Sequence, residues 1–153
     1  MLAVFTASVR CPPAMAAHWL IKSEPQVYAW TTLVHERRTV WDGVRNYEAR
    51  NFLRAMLKGD LLLFYHSGDQ KSVVGVARVT KAHFADPSAN GEDWSAIEVA
   101  PVVGLARPVA LSAMRDDAAL VAFALLRKSR LSVVPATPAE FARVLALGGT
   151  KLA

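Results

Sequence analysis

The sequence predicts an α+β protein in which a small curved sheet, or a partly closed barrel, is flanked by helices. The chain has 153 residues and 53% of them are hydrophobic, so it can bury the core of one ordinary domain. Strand-like and helix-like segments follow each other irregularly, which argues against a wound parallel sheet. No apolar run approaches the roughly 20 residues that a membrane helix needs, so we expect no membrane partner.

The chain opens with a predicted strand and a predicted short helix. Residues 18–23 are apolar with a β-branched member, and Pro25 should end this strand because proline cannot donate to a sheet ladder. Residues 27–36 have apolar side chains on one side of a helix. Residues 40–41 suit a short extended piece that leads into the next turn.

A turn and a longer helix follow. Asp42-Gly43 is a typical turn pair, and Asn46 is placed to cap the helix behind it. The apolar stripe of this helix consists of Ala49, Phe52, Leu53 and Met56. Lys58-Gly59 predicts its end, since a cation and then a glycine are common there.

The middle of the chain is predicted to be a hairpin and a further strand. Residues 61–67 are mostly apolar and predict a strand buried on both faces. Residues 73–82 are its expected hairpin partner, with Gly75 at a bulge. Residues 94–103 alternate in part and predict another strand.

The last third is predicted to be helical, then extended, then helical. Ser112 should cap a short helix that follows Arg107-Pro108. Residues 129–134 predict the last strand, and Pro135 should end it. Thr137 and Glu140 have the spacing of a capping box, so a closing helix should begin between them.

Charge and cysteine content restrict the partners and the compartment. The formal net charge is +5, which is compatible with a polyanion but also common in proteins that bind none. Cys11 is the single cysteine, so no internal disulfide can form and a reducing, cytoplasmic location is expected. Residues 1–16 lack a charged start and a clean apolar core, and they predict a disordered extension rather than a signal peptide.

The sequence contains no convincing catalytic or metal site. His66 and Ser67 are neighbours on a predicted strand, so their side chains point to opposite faces and His66 cannot easily activate Ser67. The four histidines, at positions 18, 35, 66 and 83, form no close pair with ligand spacing. We therefore expect no enzyme, no metal and no cofactor.

Aromatic and basic side chains are the richest signal. Residues 41–54 combine three aromatics with three arginines, a mixture that a plain turn does not need. Trp19 and Trp94 are interpreted as core rings, whereas for Trp41 a core role and a stacking role remain equally open. The basic run 127–130 is interpreted first as a solvated face and second as a contact to phosphates.

Long ordered motifs in the chain resemble the EVE domain. They are Trp19-Leu20-Ile21-Lys22-Ser23-Glu24-Pro25, the whole of 41–54, Gly59-Asp60, Phe64-Tyr65-His66-Ser67, Val74-Gly75-Val76-Ala77 and Arg130-Leu131-Ser132-Val133 with Pro135. The resemblance covers about 18–148, so residues 17–153 are expected to form this domain. It implies a PUA-like fold, a curved and partly closed β-barrel of about five to six strands with flanking helices. Between 82 and 94 the loop is shorter than family members often have, which removes any contact made by that insertion.

The resemblance also implies a function and a set of site residues. EVE domains are thought to read modified bases, above all methylated or hydroxymethylated cytosine in DNA. The resemblance implies that Trp41 is a stacking ring of the base pocket, that Asn46 reads the base edge, and that Trp30 is a candidate second ring. It further implies that Lys22 and Ser23 form the opposite wall of the pocket and that Ser132 adds a polar group. The residues expected at the rim are Tyr65, His66 and Ser67. Phosphate contacts are expected from Arg45, Arg50, Lys128 and Arg130.

The sequence leaves three hypotheses for the function of the chain. The first is a monomeric, non-catalytic reader of a modified base in DNA. The second is a module that binds structured or modified RNA, which matched DNA and RNA ligands would distinguish. The third, an enzyme for a small ligand, is disfavoured because no acid–base pair or nucleophile is evident.

Overall fold

The computed structural model describes residues 17–152, so the prediction of a disordered extension over 1–16 lies outside the described residues. The elements, in chain order, are β1 His18–Ser23, α1 Trp30–Glu36, β2 Thr39–Trp41, α2 Tyr47–Ala55, β3 Leu61–His66, β4 Ser72–Ala85, β5 Ser95–Ala110, α3 Leu111–Arg115, a 3-10 turn Ala118–Leu120, α4 Ala124–Arg127, β6 Val133–Ala136 and α5 Pro138–Leu147. None of the helices within 17–152 is long and apolar enough to cross a membrane.

The six strands form one mixed sheet in the order β2-β5-β4-β3-β1-β6. Strands β1 and β3 are parallel, and every other neighbouring pair is antiparallel. The α+β class and the sheet with flanking helices are therefore confirmed. Closure into a partly closed barrel is not confirmed, because β2 and β6 lie at opposite ends of the sheet order.

Each face of the sheet has its own core. Successive side chains of a strand point to opposite faces, so Trp19 and Ile21 of β1 pack with α1 and α2, whereas Leu20 packs with the helices of the last third. The same alternation sends Phe64 of β3 to the first core and Tyr65 to the second. The two-sided burial predicted for β3 is confirmed.

Helix α1 begins at Trp30, three residues later than predicted. The backbone N–H groups of Val27 and Tyr28 both donate to the carbonyl of Glu24, at 2.9 Å each, and so form a turn before the helix. The hydroxyl of Ser23 donates to the Tyr28 carbonyl at 2.7 Å and fastens this turn to the end of β1. The turn over 24–28 therefore occupies residues that helical periodicity alone assigned to α1.

Two prolines lie inside strands, so the prediction that Pro135 ends the last strand is wrong, and the strand predicted over 94–103 extends past Pro108. Strand β5 continues through Pro108 to Ala110, and β6 contains Pro135. Strand β2 pairs only with 97–99, so the later part of β5 is a sheet edge, and β6 is an edge strand. Edges tolerate proline because one side needs no ladder hydrogen bond. The prediction that Ser112 caps α3 is also wrong, because Ala110 precedes the helix at the cap position.

Candidate functional site

A surface cavity of about 540 Å³ lies where β1 ends, on the side of the turn over 24–28. Residues 22–24, 27–28 and 39–45, together with Ser132, line it. Three separate parts of the chain meet here: the end of β1 with the turn behind it, β2 with the loop behind it, and the residue before β6. The lining contains two cations, Lys22 and Arg45, and two anions, Glu24 and Asp42, so the cavity itself carries no large net charge.

Trp41 forms part of the cavity wall and part of the core at once. Its side chain is 9% exposed, and its ring meets those of Phe64 and Tyr28 edge to face, with centroids 5.5 and 5.8 Å apart. The indole N–H of Trp19 donates to Asp60 at 3.0 Å, whereas no acceptor for the Trp41 N–H is found among the described residues. Trp41 thus contributes a ring held by two aromatic neighbours to the cavity wall.

Lys22 and Ser132 form the opposite wall. The Lys22 ammonium donates to the Ser129 carbonyl at 2.9 Å, and the Lys22 backbone N–H donates to the Ser132 carbonyl, also at 2.9 Å. Burial lowers the pKa of the Lys22 side chain, because a charged amine loses hydration there. These two bonds hold the segment before β6 against the end of β1, so the wall is assembled from strands that neighbour each other in the sheet.

Asp86 organises the loop that carries Gly43 and Arg45. One carboxylate oxygen accepts from the Gly43 backbone N–H at 2.8 Å and from the Arg45 guanidinium at 2.9 Å. The other accepts from the Ser88 backbone N–H at 2.7 Å and from the Ser88 hydroxyl at 2.6 Å. Burial opposes the charged form of Asp86, but these hydrogen bonds outweigh it and lower the pKa to about 2.

Tyr28 is the second aromatic side chain of the cavity. Its hydroxyl donates to Glu36 at 2.7 Å, and burial together with this anionic acceptor raises the pKa of Tyr28 to about 12. Sequence reasoning missed both Tyr28 and Asp86 as site residues. The aromatic ring of Tyr28 was the only indication in the sequence that this residue could bind a ligand. Asp86-Pro87-Ser88 is a recognisable turn, but the hydrogen-bond partners of Asp86 in the other loop lie 41–43 residues away.

Several residues predicted at the site lie outside the cavity. The ring of Trp30 packs against Phe64 in the core, with centroids 5.3 Å apart. His66 is buried; its Nε2 accepts from the Trp30 backbone N–H at 3.0 Å, and its Nδ1 lies 2.7 Å from Gln70 Oε1. Tyr65 belongs to the core on the other face of the sheet, and the Ser67 backbone N–H donates to the Ser23 carbonyl. The structure therefore does not bring Trp30, Tyr65, His66 or Ser67 to the cavity lining, while it does bring together Lys22, Ser23, Trp41, Arg45 and Ser132.

Asn46 is exposed beside Arg45, at the start of α2. Its side-chain oxygen accepts from the Ala49 backbone N–H at 3.0 Å, so the predicted helix cap is confirmed. Asn46 does not line the cavity. Its predicted role at a base edge stays a prediction, for which its amide nitrogen and the second lone pair of its amide oxygen would be available.

The basic side chains predicted to contact phosphates differ in their surroundings. Arg50 is paired with Asp93, with 3.5 Å between the guanidinium and the carboxylate. The Lys128 ammonium lies 2.5 Å from Glu48. Arg130 is exposed two residues before Ser132 and makes no ion pair within 17–152.

The EVE domain model matches residues 17–147 of this chain. The chain belongs to the EVE domain family. An Agrobacterium tumefaciens protein of known crystal structure is similar with a TM-score of 0.86 and 37% identity, over 88% of this chain and 94% of that chain. Human thymocyte nuclear protein 1 is 31% identical over 93% of this chain and 78% of its own length.

Two further structures place this EVE domain among known folds. The crystal structure of the human THYN1 protein in complex with DNA that contains 5-methylcytosine is similar with a TM-score of 0.79 and 30% identity, over 89% of this chain and 99% of that chain. An ASCH protein from Zymomonas mobilis is similar with a TM-score of 0.55 and 11% identity, over 86% of this chain and 98% of that chain. The latter likeness concerns the fold alone.

Proposed function

We propose that this EVE domain is a non-catalytic nucleic-acid-binding domain that accepts one modified base, methylated or hydroxymethylated cytosine in DNA, in the cavity beside Trp41. The observation that carries the proposal is the cavity wall formed by Trp41 in a chain whose relative, the human THYN1 protein, has been solved with DNA that contains 5-methylcytosine. The volume of about 540 Å³ lies in the usual range for ligand sites.

The lining supplies the contacts that an extruded base requires. Leaving the stack costs a few kcal/mol, and contact with an aromatic ring returns roughly 1–3 kcal/mol per base. In this scheme Trp41 provides the ring and a free N–H donor, and Ser132 provides a hydroxyl that can donate or accept. Lys22 is held in place by Ser129 and offers a cationic donor to a carbonyl or ring nitrogen.

The preference for a modified base follows from the apolar part of the lining. Val27, Val40 and Val44 line the cavity alongside the two aromatic rings. Burial of one methyl group is worth about 0.8 kcal/mol, which corresponds to about fourfold in affinity. The expected discrimination is therefore modest for a single methyl group unless it also fills a gap that water cannot occupy.

The first experiment compares oligonucleotides that differ only in the modification. Matched DNA strands with cytosine, 5-methylcytosine or 5-hydroxymethylcytosine, and RNA strands of the same sequence, are titrated against the wild type at one fixed salt concentration. We expect tighter binding of a modified DNA strand and no chemical change in the recovered strand. Equal affinity for modified and plain bases would contradict the reader proposal, and a preference for RNA would favour the RNA-binding alternative.

The second experiment assigns the cavity to the ligand. Trp41→Phe should weaken binding of the modified strand about tenfold, since it removes the N–H and part of the ring surface. Trp19→Phe is the matched control because Trp19 belongs to the same core and its indole N–H is satisfied by Asp60, outside the cavity. If both variants fold and lose affinity equally, the ligand does not bind beside Trp41.

A further inference from the structure

An exposed aromatic pair lies next to the cavity. Tyr47, the first residue of α2, is 68% exposed, and its ring is stacked on that of Trp94 with centroids 5.1 Å apart and 20° between the planes. Tyr47 is the one aromatic residue among the large exposed hydrophobic residues of the described chain. Trp94 is half-buried, so the interpretation of this tryptophan as a core ring is wrong.

Arginine side chains fix this pair without covering it. The Arg50 guanidinium carbon lies 5.0 Å from the Tyr47 centroid and 5.7 Å from the Trp94 centroid. These distances, combined with the 5.1 Å between the rings, put Arg50 beside the stack rather than on its outer side. The face of Tyr47 that points away from Trp94 therefore stays open to solvent.

The pair is also fastened at its base. Asp93, next to Trp94, accepts from Arg50 and Arg54, and Arg54 also donates to the Ser95 hydroxyl at 2.9 Å. Because these arginines already have acidic partners, the surface offers a flat ring more than it offers free charge. A rigid, solvent-facing ring loses little conformational freedom when a second ring stacks on it.

The stack adjoins the cavity through Arg45. This residue lines the cavity, and its guanidinium carbon lies 5.6 Å from the Trp94 centroid. We infer that the outer face of Tyr47 stacks an unpaired base from the nucleotide next to the one held in the cavity. The inference rests on the proposed function, and it specifies a ligand with an unpaired neighbour, a single strand or an opened duplex, rather than a fully paired duplex.

The test removes the ring on the protein and the base on the ligand. Tyr47→Leu keeps an apolar side chain on Trp94 but loses the flat face, and Tyr47→Phe keeps the ring as the matched control. The ligands are short single DNA strands with a central 5-methylcytosine, either with intact neighbours or with an abasic site on its 5′ or its 3′ side. Tyr47→Leu should bind the intact strand about tenfold more weakly than the wild type, in line with the value of one stacked base.

The cycle of protein and ligand changes gives the decisive comparison. On the strand that lacks the stacked neighbour, wild type and Tyr47→Leu should bind within about twofold of each other, and Tyr47→Phe should match the wild type on every strand. If Tyr47→Leu loses the same affinity on intact and abasic strands, or loses none on the intact strand, the inference is overturned. The proposed function still stands in that case as long as the wild type prefers 5-methylcytosine. If the wild type shows no such preference, the proposed function fails and the inference fails with it.

Discussion

At the scale of single residues, Asp86 holds one side of the cavity in place although it does not line the cavity, because it binds the lining residues Gly43 and Arg45. Two of its four hydrogen bonds, from Gly43 and Arg45, join the loop after β4 to the loop before α2, and the other two, from Ser88, hold Asp86 within its own loop. Gly43 has a φ of +80°, a region that glycine adopts without strain, so the turn can present its N–H to Asp86. Ligand affinity should therefore depend on a residue that does not itself line the cavity.

Asp86→Asn should lower the free energy of unfolding by about 2 kcal/mol at neutral pH, because the native state holds the charged form of Asp86 with a pKa of about 2 against an ordinary 3.8. A lowered native pKa stabilises the fold fully above about pH 4, and this contribution disappears as the pH falls through about 2. The difference between wild type and variant in urea unfolding should therefore shrink between pH 4 and pH 2.

The matching control for Asp86 is Asp69→Asn, an exposed carboxylate in the turn between β3 and β4. The free energy of unfolding of Asp69→Asn should equal that of the wild type at every pH, since Asp69 accepts no hydrogen bond from the described residues. A constant offset between wild type and Asp86→Asn from pH 7 to pH 2 would show that packing, rather than the charge of Asp86, is what the variant loses.

At the scale of elements, the position of α1 decides which aromatic residue reaches the cavity. The start of the helix is bound to β3, where His66 accepts a hydrogen bond from the Trp30 backbone N–H. The ring of Trp30 lies directly over Gly75 of β4. A β-carbon at Gly75 would be 2.5 Å from two ring carbons of Trp30. Glycine at the β4 bulge therefore makes room for Trp30, and the turn before α1 in consequence brings Tyr28 to Trp41.

Gly75→Ala should destabilise the protein by about 1–3 kcal/mol, the usual cost of an overpacked core. Gly104→Ala is the matched control, because its β-carbon would meet Trp30 Nε1 at 3.3 Å, a contact that a small shift relieves. Thermal unfolding should rank the wild type first, Gly104→Ala next and Gly75→Ala last. Equal melting temperatures for Gly75→Ala and the wild type would mean that α1 is free to move away from the sheet.

At the scale of the whole molecule, features encoded locally could be predicted and features made by distant contacts could not. The Asn46 cap and the Thr137–Glu140 capping box depend on residues three apart, and both are confirmed. The start of α1 combines the turn over 24–28, which helical periodicity did not reveal, with a hydrogen bond from the Trp30 backbone N–H to His66, 36 residues away.

The same limit applies to the candidate site. The motif containing Lys22 and Ser23 and the motif containing Trp41 and Arg45 were found from the sequence, and the structure brings them together. His66 was expected at the rim because the resemblance to the EVE domain implied it, but a backbone N–H from α1 takes its acceptor nitrogen. Nothing in a one-dimensional pattern reports which donor a buried histidine will meet.

The charge of the whole molecule leads to the last prediction. The chain has a formal net charge of +5. The guanidinium of Arg130 is exposed and has no acidic partner among the described residues, whereas Lys128 is already paired with Glu48. Arg130→Gln should therefore weaken binding to modified and plain strands alike and reduce the salt dependence, the slope of log K against log salt concentration, by about 0.7–0.9. Lys128→Gln should change that slope less, because Glu48 offsets its charge before any phosphate arrives. Titrations between low and moderate salt measure both slopes. A larger change of slope for Lys128→Gln, or an effect of Arg130→Gln on the modified strand alone, would show that the phosphates of the ligand do not contact Arg130.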